Sequence, residues 1–251
     1  MTNAETKSSN SSNKTKSILI GILILCFGYF FGGLTYHKQI FPFEQIRIVR
    51  NMLLGIFIQK NKDYKEPKIR NTLFQTFSPN ADVVMIGDSI TEGGVWNEVF
   101  TDIRVANRGI GGDRADDILL RMDPIFAVNA QKAFIMVGIN DIYEGESIEN
   151  IFKNYKNIVQ QLRIRVKEVF IQSTIECSIS KCGNKIEKVR ELNKKLKLYA
   201  EEQVINYIDI NVGLTSDKQG LLSEYTSDGV HLNGKGYLIW SQTISPYVYS
   251  K

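Results

Sequence analysis

The sequence predicts an α/β fold built on a parallel sheet, and three observations carry that prediction. From about residue 69 onward, strand-like and helix-like segments alternate, the order that helix-covered parallel sheets require. Val83-Val84-Met85-Ile86 is an apolar, mostly β-branched run that passes straight into Gly87-Asp88-Ser89. That is the signature of a buried strand ending in a tight turn, with a short helix to follow. Polar, glycine-containing blocks then recur after later strands, at the carboxyl ends where open α/β sheets place their ligands.

The chain has 251 residues, enough for one such domain and something extra. Its net charge of +4 is mild and no dense Lys/Arg stripe appears, so nucleic acid is not an expected partner. Residues 1–17 are mostly Ser, Asn, Thr and Lys, have nothing to bury, and read as a disordered tail. Residues 18–36 form a run without a charge. Roughly 19 helical residues at 1.5 Å each span about 28 Å, close to the hydrocarbon core of a bilayer. The run is longer than a usual signal-peptide core and no Ala-x-Ala-like site follows, which favours an uncleaved signal anchor over a cleaved signal peptide. Lysines precede it, but Lys38, Arg47 and Arg50 follow it, so the charge count hardly fixes the orientation. Gly28 and Gly32 have the G-x-x-x-G spacing that lets two helices approach, and a homodimer through them rests on that alone.

Residues 37–68 are read as a membrane-proximal amphipathic helix and linker. Ile46, Val49, Met52, Leu53, Ile56 and Phe57 recur at helical spacing, which suits both a membrane surface and docking on the globular domain. Asn61 to Lys68 is polar and contains a proline, so the main domain is placed at 69–251. Within it, strands are expected at 82–86, 103–106, 132–137, 167–172 and 204–209. Helices are expected at 115–123, 148–164, 185–202 and 233–245, the last opened by a turn and cap at Asn233-Gly234-Lys235-Gly236.

Four blocks carry the chemistry: Gly87-Asp88-Ser89; Asn107-Arg108-Gly109-Ile110-Gly111-Gly112-Asp113; Gly138-Ile139-Asn140-Asp141; and Asp228-Gly229-Val230-His231. Each alone has an ordinary reading as a turn or helix cap, and the glycine loop lacks the G-x-x-x-x-G-K-[ST] pattern of a phosphate cradle. Together they supply what acyl transfer needs. A serine hydroxyl is a weak nucleophile without an adjacent base. His231 is the only histidine in the globular domain, and Asp228, three residues earlier, is close enough to hold its ring. The oxyanion of a tetrahedral intermediate needs fixed donors. The backbone N–H groups of Ser89 and Gly112 and the side-chain amide of Asn140 are the candidates. One histidine beside one aspartate is too few ligands for a metal site.

These blocks resemble those of the SGNH (GDSL) hydrolases, named for Ser, Gly, Asn and His in four blocks. All four are present, as Ser89, Gly112, Asn140 and His231, over about residues 69–249. The wording of the motifs is similar to the branch of the platelet-activating-factor acetylhydrolase catalytic subunits. The resemblance implies a three-layer flavodoxin-like fold with a five-stranded parallel sheet. It also implies ester hydrolysis with Ser89 as nucleophile, His231 as general base and Asp228 as its orienter, and an oxyanion hole of Ser89, Gly112 and Asn140. No metal or organic cofactor is implied.

One departure stands out: Arg114 occupies a position where relatives often carry a small hydroxyl residue. With Arg108 nearby it raises the idea of an acidic substrate, such as a uronic or sialic acid ester, against the plainer reading of an arginine on a solvated helix start. Cys177 and Cys182 flank a short loop after the fourth strand. They are expected to form a disulfide if the domain lies outside the cytoplasm, and to be free thiols otherwise. The sequence thus leads to a membrane-anchored serine esterase, its domain extracytoplasmic, acting on an acyl ester (an O-acetyl group by preference) of a small molecule or glycan. An O-acyltransferase using the same triad and a non-catalytic glycan-binding domain are the alternatives.

Overall fold

Five short strands, β1 (Val83–Gly87), β2 (Val105–Gly109), β3 (Lys132–Met136), β4 (Glu168–Gln172) and β5 (Asn206–Ile208), pair in the order β2-β1-β3-β4-β5. Every pair is parallel. This computed structural model describes residues 68–250, which belong to one compact unit. The expected tail, transmembrane anchor and membrane-proximal helix, with Gly28 and Gly32, lie outside the described residues. Among the described residues no helix is long and apolar enough to cross a membrane.

The sheet is covered on both faces, which is why β1 and β3 are buried at every position. One face carries α3 (Trp96–Val99) and the last helix, α10 (Gly234–Val248). Trp96 and Trp240 meet edge to face at 4.7 Å there, Phe134 stacks on Phe170 at 4.4 Å, and the Trp240 indole N–H donates to Gln172 Oε1. The other face carries α7 (Ile148–Arg165) and α9 (Lys185–Gln203). Their apolar stripes recur at helical spacing, Ile151, Tyr155, Ile158 and Leu162 on α7 and Val189, Leu192 and Leu196 on α9. The Tyr155 hydroxyl, fully buried, donates to the Ile135 carbonyl, so its polar end is satisfied inside the core.

The order 2-1-3-4-5 reverses direction between β1 and β3, and such a switch point opens a crevice at the carboxyl ends of those strands. Three segments leave β1, β2 and β3 at that edge, and they are the three blocks that contain Ser89, Gly112 and Asn140.

Local differences from the sequence-based elements have identifiable causes. The helix expected over 115–123 is two helices, α4 (Ala115–Leu119) and α5 (Met122–Phe126). Arg121 between them is non-helical, and its guanidinium is turned inward onto Asp113, the Gly87 carbonyl and the Arg108 carbonyl. The second strand begins later than expected and runs to Gly109, because it pairs with β1 from Val83↔Val105 to Gly87↔Gly109, and its Asn107 amide donates to the carbonyls of Thr91, Glu92 and Gly94. The last helix continues through Pro246 to Val248. The Lys132 ammonium caps its end by donating to the carbonyls of Tyr247, Val248 and Ser250. The fifth strand is shortened because Val204 takes the left-handed conformation, with φ of 53°, to end α9. Elements without a counterpart in the sequence reading include helix α1 (Ile69–Thr76), the short helices α3, α6 (Ile139–Tyr143) and α8 (Ile179–Cys182), and a small antiparallel hairpin of β6 (Thr215–Ser216) and β7 (Gly220–Leu221).

Candidate active site

Gly87 makes the turn out of β1 possible. A methyl group there would lie 2.2 Å from Thr91 Oγ1 and 2.3 Å from the Met136 carbonyl, so no side chain fits. Asp88 follows and caps the short helix α2 (Ser89–Glu92), its Oδ1 accepting the Ile90 N–H. Ser89 is therefore the first residue of a helix, partly exposed at the crevice. Its Oγ lies 2.9 Å from His231 Nε2, across 142 residues of sequence.

The loop that carries His231 is locally closed: Thr226 and Leu232 pair as an isolated antiparallel bridge at its two ends. Inside it, Asp228 Oδ1 accepts the backbone N–H groups of Val230 and His231, each at 2.8 Å. Oδ2 is left for His231 Nδ1, 2.7 Å away. Burial acts to raise the Asp228 pKa, but the imidazole and the two backbone donors outweigh it and hold the carboxyl well below the usual range. An ionised Asp228 fixes the tautomer with hydrogen on Nδ1, and Nε2 is then free to accept the Ser89 proton.

The second block folds over α2. Its Gly111 N–H donates to the Glu92 carboxylate, and a methyl group on Gly111 would lie 3.9 Å from Ser89 Cβ. Gly112 takes a φ of 70°, the region glycine enters without strain. The backbone N–H groups of Ser89 and Gly112 have no acceptor among the described residues. Asn140 stands on α6 (Ile139–Tyr143) beyond β3, and its side-chain amide donates to the Asp113 carbonyl at 2.9 Å. All five residues singled out in the sequence thus come from the same edge of the sheet or the loop facing it.

Arg114 is neither solvated nor in the crevice. It is buried, and its guanidinium is spent on Asp116 at 2.6 Å and Glu144 at 2.8 Å, with Asp117 at 3.7 Å. Arg108 is buried too, donating to the carbonyls of Pro124, Asn107 and Phe77 and lying 4.4 Å over the Phe74 ring. Both are structural, so the acidic-substrate idea loses its basis.

Cys177 and Cys182 are joined, with Cα atoms 6.1 Å apart, inside the range a disulfide spans. The segment they close packs against the histidine loop: the Ser178 N–H donates to the Gly229 carbonyl at 2.8 Å. Between this segment and the loop lies a cavity of about 640 Å³ lined by Ser178, Lys181, Lys218, Ser223, Thr226 and Asp228, among others.

Asp88, beside the serine, is fully buried, and its Oδ2 has no hydrogen-bond partner among the described residues. Burial is the main force raising its carboxyl to about 7, with Asp113 adding to it and the Ile90 N–H and His231 opposing. The sign for stability follows from linkage. Below the ordinary carboxyl range both folded and unfolded chains hold the proton. Between there and about pH 7 the unfolded chain has lost it and the folded chain has not, so stability falls as pH rises. Asp88→Asn is expected to remove that loss. Thermal unfolding should show its advantage over the parent growing from pH 5 to pH 8, by an amount on the order of 2 kcal/mol.

The profile of the GDSL-like Lipase/Acylhydrolase family matches residues 85–239. The chain belongs to that family. This membership places it among the carboxylic ester hydrolases. Among curated proteins, the N-acylneuraminate cytidylyltransferase of Streptococcus agalactiae serotype V is 26% identical over 193 residues, covering 74% of this chain and 43% of that protein. The chain thus spans less than half the length of those relatives. The rat platelet-activating factor acetylhydrolase IB subunit alpha2 is 24% identical over 165 residues, or 62% of this chain and 71% of that one. Among solved structures, a Bacteroides fragilis protein assigned to the acylhydrolases superposes with a TM-score of 0.65 at 25% identity, covering 73% of this chain and 98% of its own. The fold is shared with Axe2, an acetylxylan esterase from Geobacillus stearothermophilus, with a TM-score of 0.56 at 19% identity over 69% of this chain and 96% of that one.

Proposed function

We propose that this acylhydrolase is a membrane-anchored serine esterase that removes an acyl group, by preference O-acetyl, from a carbohydrate. The observation that carries the catalytic part is the continuous relay from Ser89 Oγ to His231 Nε2 at 2.9 Å and from His231 Nδ1 to Asp228 at 2.7 Å. In this reading Ser89 Oγ attacks the acyl carbon while its proton passes to Nε2. The carbonyl oxygen becomes an oxyanion and is held by the N–H groups of Ser89 and Gly112 and the Asn140 amide, donors worth about 3 kcal/mol each in comparable sites. Collapse expels the alcohol, which takes the proton back from Nε2. Water, deprotonated by the same nitrogen, then releases the carboxylic acid and restores Ser89.

The carbohydrate part rests on the fold shared with Axe2, an acetylxylan esterase. A long alkyl chain would want a larger apolar pocket. Anchoring rests on the uncharged run at 18–36, and an extracytoplasmic domain agrees with the Cys177–Cys182 pair. The test is a substrate panel with the full chain in detergent. Acetylated xylooligosaccharides and p-nitrophenyl acetate should be hydrolysed at least about tenfold faster, by kcat/KM, than p-nitrophenyl esters of eight carbons or more. The reverse order would replace this reading with a lipase.

A further inference from the structure

We infer that Lys68, a residue outside all four sequence blocks, is a positioning residue for the oxyanion hole; the inference rests on the hydrolytic reading above. Its ammonium donates to the Gly111 carbonyl at 2.7 Å and to Asp113 Oδ1 at 2.7 Å. The first contact matters most. The carbonyl of Gly111 and the N–H of Gly112 belong to one peptide group, and in a trans peptide the two point in opposite directions. Holding the carbonyl therefore aims the Gly112 N–H away from Lys68, and that N–H has no acceptor among the described residues.

The preceding peptide, Ile110–Gly111, is pinned as well, because the Gly111 N–H donates to the Glu92 carboxylate. The two charged clamps thus hold the peptides on both sides of Gly111, a glycine whose backbone would otherwise have more freedom than other residues allow. Hydrogen bonding of a cation to the carbonyl also polarises the peptide and strengthens its N–H as a donor.

The second contact extends the control to Asn140. Asp113 is almost fully buried, its Oδ1 taken by Lys68 and its Oδ2 by Arg121 at 2.6 Å. The carbonyl of this same residue accepts the Asn140 amide. Two of the three oxyanion donors, Gly112 and Asn140, thus hang on one residue pair. Lys68 supplies no proton and touches no reacting atom in this arrangement. Its effect is on the geometry and charge of the hole, which matter only as the oxyanion forms.

The test compares full-length parent, Lys68→Ala, Lys68→Met, Lys68→Arg and Asn140→Ala with p-nitrophenyl acetate, together with inhibition by methylboronic acid, which forms a tetrahedral adduct on an activated serine. For Lys68→Ala, kcat should fall roughly 10- to 100-fold with KM within about twofold. The boronic acid inhibition constant should rise by a similar factor. Lys68→Arg should recover most of the rate, since it keeps the charge and the donors. If the alanine variant unfolds, Lys68→Met, which keeps the stem, decides. Unchanged kcat in a folded Lys68 variant, with Asn140→Ala impaired, overturns the inference and leaves the hydrolytic reading intact. Loss of rate that follows loss of melting temperature and is not recovered by arginine also overturns it. Absence of fluorophosphonate labelling at Ser89 in the parent removes both.

Discussion

Ser89→Ala is expected to abolish covalent labelling by a fluorophosphonate and to lower ester hydrolysis by about 10⁴-fold or more, the scale lost when the nucleophile of a triad is removed. Intact mass of the full-length protein reads the first effect: one adduct on the parent and none on the variant. The fold should be unaffected, because the Ser89 side chain is partly exposed and, among the described residues, bonded only to His231 Nε2. The variant keeps Asp88 as the cap of α2 and keeps Gly87 in its tight turn. Labelling that persists in Ser89→Ala would place the activated nucleophile elsewhere and undo the assignment of the relay.

The second large effect is expected from Asp228→Asn. The asparagine oxygen can still accept the Val230 and His231 backbone N–H groups that Oδ1 accepts now. Its amide nitrogen, however, donates toward Nδ1, where the carboxylate accepted. The imidazole must then carry its hydrogen on Nε2, which faces Ser89 Oγ and can no longer take its proton. A loss of about 10⁴-fold in kcat is expected with the loop intact, the size the same exchange produces in a Ser-His-Asp triad. Steady-state kinetics alongside thermal unfolding separates this from a folding defect. A loss below about tenfold would mean that Asp228 contributes little to orientation. Because Asp228 is held below the ordinary carboxyl range, its ionised form persists as pH falls through that range. An acid loss of activity within that range therefore belongs to another group.

The parts of this site that were legible in the sequence are those built by local chemistry. The run Val83 to Ile86 reads as a buried strand, and Gly87-Asp88-Ser89 after it as the turn that opens a short helix. Asp228 reaches His231 within its own loop, so the pair is visible as a spacing. Lys68 was not legible, because nothing near it in the chain shows that its ammonium ends on Gly111 and Asp113, more than forty residues away. The break between α4 and α5 was hidden for the same reason: Arg121 leaves helical geometry to satisfy a buried carboxylate that only the folded chain brings to it. Arg114 shows the converse. A charge beside a catalytic block invites a substrate role, yet three carboxylates from its own helix and from Glu144 surround it. Motif proximity is a property of sequence, whereas the partners of a charge are a property of packing.

The 142 residues between the nucleophile and its base also bear on when the enzyme becomes active. Ser89 leaves the first strand, while the His231 loop directly precedes the last helix, whose Trp240 closes on Trp96 and Gln172. A nascent chain therefore carries its serine long before it carries any group able to activate it. Synthesis proceeds with a hydroxyl that His231 has not yet reached, and on the hydrolytic reading proposed above turnover waits for the last helix to dock, so its appearance is a clock for the completion of folding.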